Sequence, residues 1–192
     1  SMTKFEESLK KYLAIFADQE MYFVSDLRNL ELFEKTPLNN NADDIRTKIS
    51  AINDDEIRKQ TLMEDMTVHI LTLRIDDRLM RGDMTLVEDI ANITTRGKSH
   101  RMLHFASVYC NYHKPDIYPI YSEQHFAFYR QYIKTFALQL DPEKLNTYQV
   151  FSDALNDLIT RANLKGKMNY LHIRKFGWLY ADKVLEEAGI TV

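Results

Sequence analysis

The sequence predicts an all-α fold. Apolar residues recur at spacings of three and four along nearly the whole chain, and alternating apolar–polar runs are scarce. Only five glycines and four prolines punctuate 192 residues. With 45% hydrophobic and 11% aromatic residues, the chain can bury the core of one helical domain.

The first helix places Phe5, Leu9, Tyr12, Leu13 and Phe16 on one face. A second, expected from Gln19, carries Met21, Val24, Leu27, Leu30 and Phe33 and stops before Pro37. Asn41 is placed to cap a short third helix. Asp54 or Asp55 then opens a long helix through Leu62, Met66, His69, Leu73 and Leu79, which ends near Gly82. Asp83 caps the next segment, whose Leu86, Val87, Ile90 and Ile93 face inward.

The stretch Thr94–Ser99, TTRGKS, reads as a turn that opens a helix over 100–110. Ser122 is placed to cap a helix over 123–138, and Pro142 takes a first-turn position ahead of another over 143–164. The closing helix runs from Tyr170 and stops at Gly189. On it, Trp178 is expected in the core, with its indole N–H bonded to a carbonyl. No repeat or linker divides the chain, so 1–192 reads as a single domain, with 1–52 as a helical addition to a core of 53–192.

Composition narrows the function. A single cysteine, Cys110, forbids an internal disulfide and lies on the apolar side of its segment, as a small buried hydrophobe would. A reducing, cytoplasmic setting is expected, with no membrane partner, because no apolar run approaches spanning length and no signal peptide stands out. The net charge of −3 does not announce a nucleic-acid binder. Its distribution is uneven, however. No carboxylate lies between Asp89 and Asp116, where Arg96, Lys98, Arg101 and Lys114 gather, nor between Asp157 and Asp182, which includes Arg174 and Lys175. Brought together, these segments form a positive face suited to phosphates.

Catalytic chemistries are mostly excluded. His100 and His104, four apart, share a face if helical, and His113 follows. Arg101 stands where a metalloprotease carries its glutamate, and no cysteine pair or carboxylate cluster completes a shell, so neither metal nor cofactor is expected. RGKS lacks the earlier glycine and the strand of a phosphate-binding loop, although a helix start there offers backbone N–H groups and Lys98 to a phosphate.

Two stretches carry a resemblance: HFASVYCNYHKPDIYPIYSEQHF, His104 to Phe126, and the closing FGWLYADKVLEEAG. With the helix–turn–helix succession around 84–140, they resemble the helix-hairpin-helix DNA glycosylase superfamily. The likeness is to bacterial proteins with an 8-oxoguanine glycosylase (OGG)-like fold, some found in antiphage operons including CBASS systems. The resemblance implies a phosphate-binding hairpin, a part only TTRGKS could play, and together with the basic segments the expected nucleic-acid contacts are Arg96, Gly97, Lys98, Ser99, Arg101, Arg174 and Lys175. It also implies a pocket for a flipped base at Tyr118, Tyr121, Ser122 and His125.

The family's catalytic aspartate follows the loop. Here Ser122 takes its place, Glu123 stands one position later, and Val108 replaces the lysine of FASKYC. Serine supplies no negative charge opposite a developing sugar cation. The expectation is therefore a catalytically degenerate OGG-like protein that binds nucleic acid or a nucleotide, with a protein partner in a defence operon. Two alternatives stay open: an active glycosylase that uses Glu123 or a displaced carboxylate, and a protein-binding scaffold without ligand chemistry.

Overall fold

A computed structural model describes residues 1–191. The chain is all-α apart from one small hairpin. Its helices are α1 (Lys4–Ala17), α2 (Val24–Lys35), α3 (Ala42–Ile52), α4 (Asp55–Lys59), α5 (Met63–Leu73) and α6 (Asp76–Arg81). They continue with α7 (Thr85–Ala91), α8 (Leu103–His113), α9 (Phe126–Thr135), α10 (Tyr148–Arg161) and α11 (Tyr170–Glu187). The hairpin strands are β1 (Asn92–Thr95) and β2 (Lys98–Arg101). Two compact units emerge: Ser1–Phe23 with the residues from Ser122 onward, and Val24–Tyr121.

The first unit is built on α1, α9, α10 and α11. Thr3 caps α1 by accepting from the Glu6 amide at 3.1 Å. The apolar face of α1 meets α11, where Phe16 sets its ring edge-on to Phe176 and Tyr180, and Ser8 donates to the Val184 carbonyl. A reciprocal cap starts α11. The Asn169 side chain accepts from the amides of Leu171 and His172, while His172 Nδ1 accepts from the Asn169 amide.

Gly189 closes this helix in the left-handed region at φ 73°, as the sequence indicates. Pro142 opens only a 3-10 turn over Pro142–Lys144. Ser122 caps no helix with its side chain, and Glu123–His125 is likewise 3-10. Trp178 corrects an expectation: it is 62% exposed. Its place on α11 lies one turn from Arg174 and from Asp182, on the polar stripe, while Phe176, Tyr180 and Val184 take the buried one.

The second unit holds α2 to α8 and the hairpin. Asn41 caps α3 as expected, accepting from the Asp44 amide at 2.9 Å. The long helix expected from Asp54 to Leu79 is three helices, α4, α5 and α6. Thr61 at φ 56° and Arg74 at φ 49° take left-handed conformations at the breaks, and no glycine announces either.

TTRGKS does not open a helix. Asn92 pairs with Arg101 and Thr95 with Lys98 across an antiparallel ladder, and Arg96 and Gly97 turn the chain at φ 51° and 74°. Positive φ at both central residues is what a type I′ two-residue hairpin loop requires. The β-branched run Ile93-Thr94-Thr95 favours strand over helix. At the base, the Met102 amide donates to the Ala91 carbonyl at 2.9 Å and carries the chain into α8.

Candidate functional site

The cations expected to bind phosphate have polar neighbours in the fold. Although no carboxylate lies near them in sequence, the fold brings Glu88 within 2.6 Å of Arg101 and Asp65 within 3.4 Å of Arg96. Lys98 approaches Gln60 Oε1 at 3.5 Å, and Ser99 faces Thr94 across the hairpin. Gly97 serves the turn and presents no helix N-terminus. Arg174 and Lys175 belong to the other unit. There the Lys175 ammonium donates to the carbonyls of Glu20 and Tyr22 and lies over the Phe23 ring.

The aromatic loop is largely core. Tyr118 is buried, with its hydroxyl on the Leu79 carbonyl at 2.9 Å, and the Tyr121 amide donates to Ser107 Oγ. His125 is buried against Gly177, where an added methyl would meet the ring at 2.6 Å. Burial, with Arg174 nearby, pushes its pKa down to about 4. Ser122 is part-exposed and Glu123 exposed at the start of the 3-10 turn. His100 lies on β2 and His104 on α8, so they share no helix face, and His104 faces Asp54 at 3.4 Å.

A different site emerges within Val24–Tyr121. A groove of about 660 Å³ runs between α2, the Pro37–Leu38 turn, α6 and the end of α8. Leu30, Phe33, Leu38, Leu79 and Met80 make it mainly apolar; Glu34, Asp77 and Lys114 stand at its rim. Leu38 and Met80 are both more than half exposed.

Behind the apolar wall lies a buried polar network. Lys48, on the inward face of α3 with Ile45 and Ile49, is 0% exposed. Its three ammonium hydrogens have three acceptors: the Thr36 carbonyl at 2.8 Å, the Leu38 carbonyl at 3.1 Å and His113 Nε2 at 3.2 Å. Asn39 is its neighbour. The Asn39 amide and Nδ2 donate to Asp76, and its Oδ1 accepts from the Tyr109 hydroxyl. Its Nδ2 also lies 3.3 Å from His113 Nε2. The network thus fixes the Pro37–Leu38 turn against α3, α6 and α8.

Burial lowers the Lys48 pKa to about 8, opposed by Asp76 and Asp44, and the ammonium stays charged at neutral pH. Burial first, then the charges of Lys48 and Lys114, push His113 down to about 3, so its ring is neutral. Two donors converge on Nε2, which therefore carries the lone pair and leaves the proton on Nδ1. Nδ1 has no hydrogen-bond partner among the described residues and is not sealed from solvent. His113 lines the groove. The site therefore sets a neutral imidazole, its ring oriented by the network, in the lining of an apolar groove, which suits it to binding.

Nucleophilic chemistry has little footing here. Lys48 is saturated, and the Cys110 thiol is buried with its pKa raised by desolvation. Among the described residues no group of three His, Cys, Asp or Glu side chains could hold a metal ion. No described helix is long and apolar enough to cross a membrane.

Sequence reasoning missed this site, because Lys48 and His113 are far apart in the chain. One signal was present. Lys48 falls three residues after Ile45 and beside Ile49, on the apolar stripe of α3, where a lysine needs buried acceptors.

Comparison with known proteins bears on this unit. An uncharacterized protein of Haemophilus influenzae is 32% identical over 124 residues, which cover 62% of this chain and 57% of the relative. The chain thus spans little more than half the length of that relative. No solved structure gives a significant match. The family model described as the HI_0787_N N-terminal domain matches residues 8–117, which include every residue lining the groove. The chain belongs to the HI_0787_N family.

Proposed function

We propose that Val24–Tyr121 is a recognition module that seats an apolar group of its ligand in the groove, with His113 Nδ1–H as the directional contact. One observation carries this reading. His113, its ring oriented by a buried network through Nε2, lines an apolar groove, and its Nδ1 has no hydrogen-bond partner among the described residues. An apolar cleft with a few fixed polar groups is the usual form of a ligand site, and 660 Å³ falls within its ordinary size range.

The features that support the nucleic-acid and base-excision readings are weaker. The hairpin cations face Glu88 and Asp65, and Ser122 brings no charge to the place of a catalytic aspartate. A recognition role also suits a neutral His113 and a Lys48 ammonium whose hydrogens are all taken up by the network.

Binding of the uncharged, solvatochromic dye Nile red tests the proposal. The wild type is expected to bind it saturably with a blue-shifted emission. Met80→Glu places a charge in the groove and should abolish the signal. Met80 is 63% exposed, so thermal stability should stay within about 0.5 kcal/mol. Absence of saturable binding by the wild type, or undiminished binding by Met80→Glu, overturns the reading.

A further inference from the structure

We infer that the occupant of this groove is a segment of a partner protein that presents apolar side chains beside lysine or arginine. The inference rests on the recognition-module reading and adds the class of ligand.

Rim charge is the first argument. Glu34 on α2 and Asp77 on α6 are exposed, and neither makes an ion pair or side-chain hydrogen bond among the described residues. Elsewhere on this unit, exposed carboxylates are commonly matched: Glu31 with Lys35, Asp43 and Glu64 with Arg46, Asp89 with Arg78. Asp76, the third groove carboxylate, is already held by Asn39. Against Glu34 and Asp77 the rim sets Lys114, so the mouth is left net acidic while Lys48 stays sealed behind the wall. A phosphate, an anionic lipid or a nucleic acid meets repulsion there, and a cation meets attraction.

The second argument is the mixture of contacts. His113 Nδ1–H asks for a neutral acceptor such as an amide carbonyl. Leu38 and Met80 ask for apolar side chains, and Glu34 and Asp77 for ammonium or guanidinium groups. A polypeptide segment supplies all three on one strand or helix face. Leu27, one turn before Leu30 on α2 and 45% exposed, extends the apolar track beyond the groove.

The test uses two short fluorescein-labelled peptides that share leucines at helical spacing. One carries lysines at its remaining positions and the other glutamates. Fluorescence anisotropy at low ionic strength should show the lysine peptide binding about tenfold tighter to the wild type. Glu34→Lys/Asp77→Lys should remove or invert that preference, whereas Glu6→Lys/Glu7→Lys on α1 should leave it intact. His113→Phe should weaken the lysine peptide about threefold to tenfold.

Equal affinities for the two peptides overturn the inference. So does a preference that the Glu34/Asp77 reversal leaves unchanged or that the α1 reversal also removes. If Nile red binds and neither peptide does, the partner class is wrong and the groove reading stands. If nothing binds, both fall.

Discussion

Acid should destabilise this protein through His113. Its ring is held neutral because Nε2 must accept from Lys48 at 3.2 Å and from Asn39 at 3.3 Å. Protonation would turn that acceptor into a donor facing two donors, one of them a full positive charge. The folded pKa is pushed to about 3 from an ordinary 6.5, chiefly by burial. A base with a lowered folded pKa contributes stability that is complete above its unfolded value and is lost as pH falls towards its folded value. The window is therefore pH 6.5 down to about 3. From pH 7 to pH 5 the unfolded chain gains a proton that the native state refuses, which costs about 2 kcal/mol for this one group.

The assay is urea unfolding of the wild type and His113→Gln at the two pH values. Glutamine does not titrate and can still offer an oxygen to Lys48, so the variant should lose about 2 kcal/mol less than the wild type over that interval. His125 also resists protonation, but it is present in both proteins and cancels. Equal losses in the two proteins would refute the buried-acceptor assignment and, with it, the Nδ1–H tautomer.

Two further outcomes test local geometry. Gly177→Ala should destabilise by about 1–3 kcal/mol, because the added methyl meets the buried His125 ring at 2.6 and 2.8 Å. The helix-propensity gain of about 1 kcal/mol should not rescue it, and His125→Ala in the same chain should recover part of the loss. A neutral or stabilising Gly177→Ala in a melting experiment would contradict that packing. Arg96→Asn should raise stability by about 0.5–1 kcal/mol, since asparagine tolerates the left-handed turn position at φ 51° better than arginine. An unchanged or lowered stability of Arg96→Asn would contradict the left-handed turn position.

Helix class and several boundaries were legible in the sequence because they rest on local chemistry. The stripe Phe5, Leu9, Leu13 and Phe16 is buried, Asn41 caps α3, and Gly189 ends α11. The breaks inside 54–79 were not legible. Thr61 and Arg74 hold left-handed conformations that their side chains do not favour, so tertiary packing decides there. The hairpin did leave a trace, three β-branched residues before Arg96-Gly97, but strands of four residues give a weak periodic signal.

Trp178 shows the opposite failure. Its size suggested the core, while its helical position, one turn from Arg174, placed it on the polar face. The stretch around Arg96 and Arg101 is free of carboxylates in sequence, but acids come close to it in the fold. Glu88 and Asp65 come from helices that the linear pattern does not connect to it. The groove is of the same kind. Lys48, Asn39, Asp76 and His113 come from three helices and a turn, and only the lysine on an apolar stripe hinted at their meeting.

Methyl carbon NMR tests the central claim most directly. With all eight methionine methyls labelled, Nile red is titrated to saturation. Met80 lines the groove, so its methyl resonance should move in step with dye fluorescence. Met2 and Met168, in the other unit, and Met102 at the base of the hairpin should hold still. A stationary Met80 at dye saturation, or a leading shift at Met102, would contradict the assignment of the groove as the binding site.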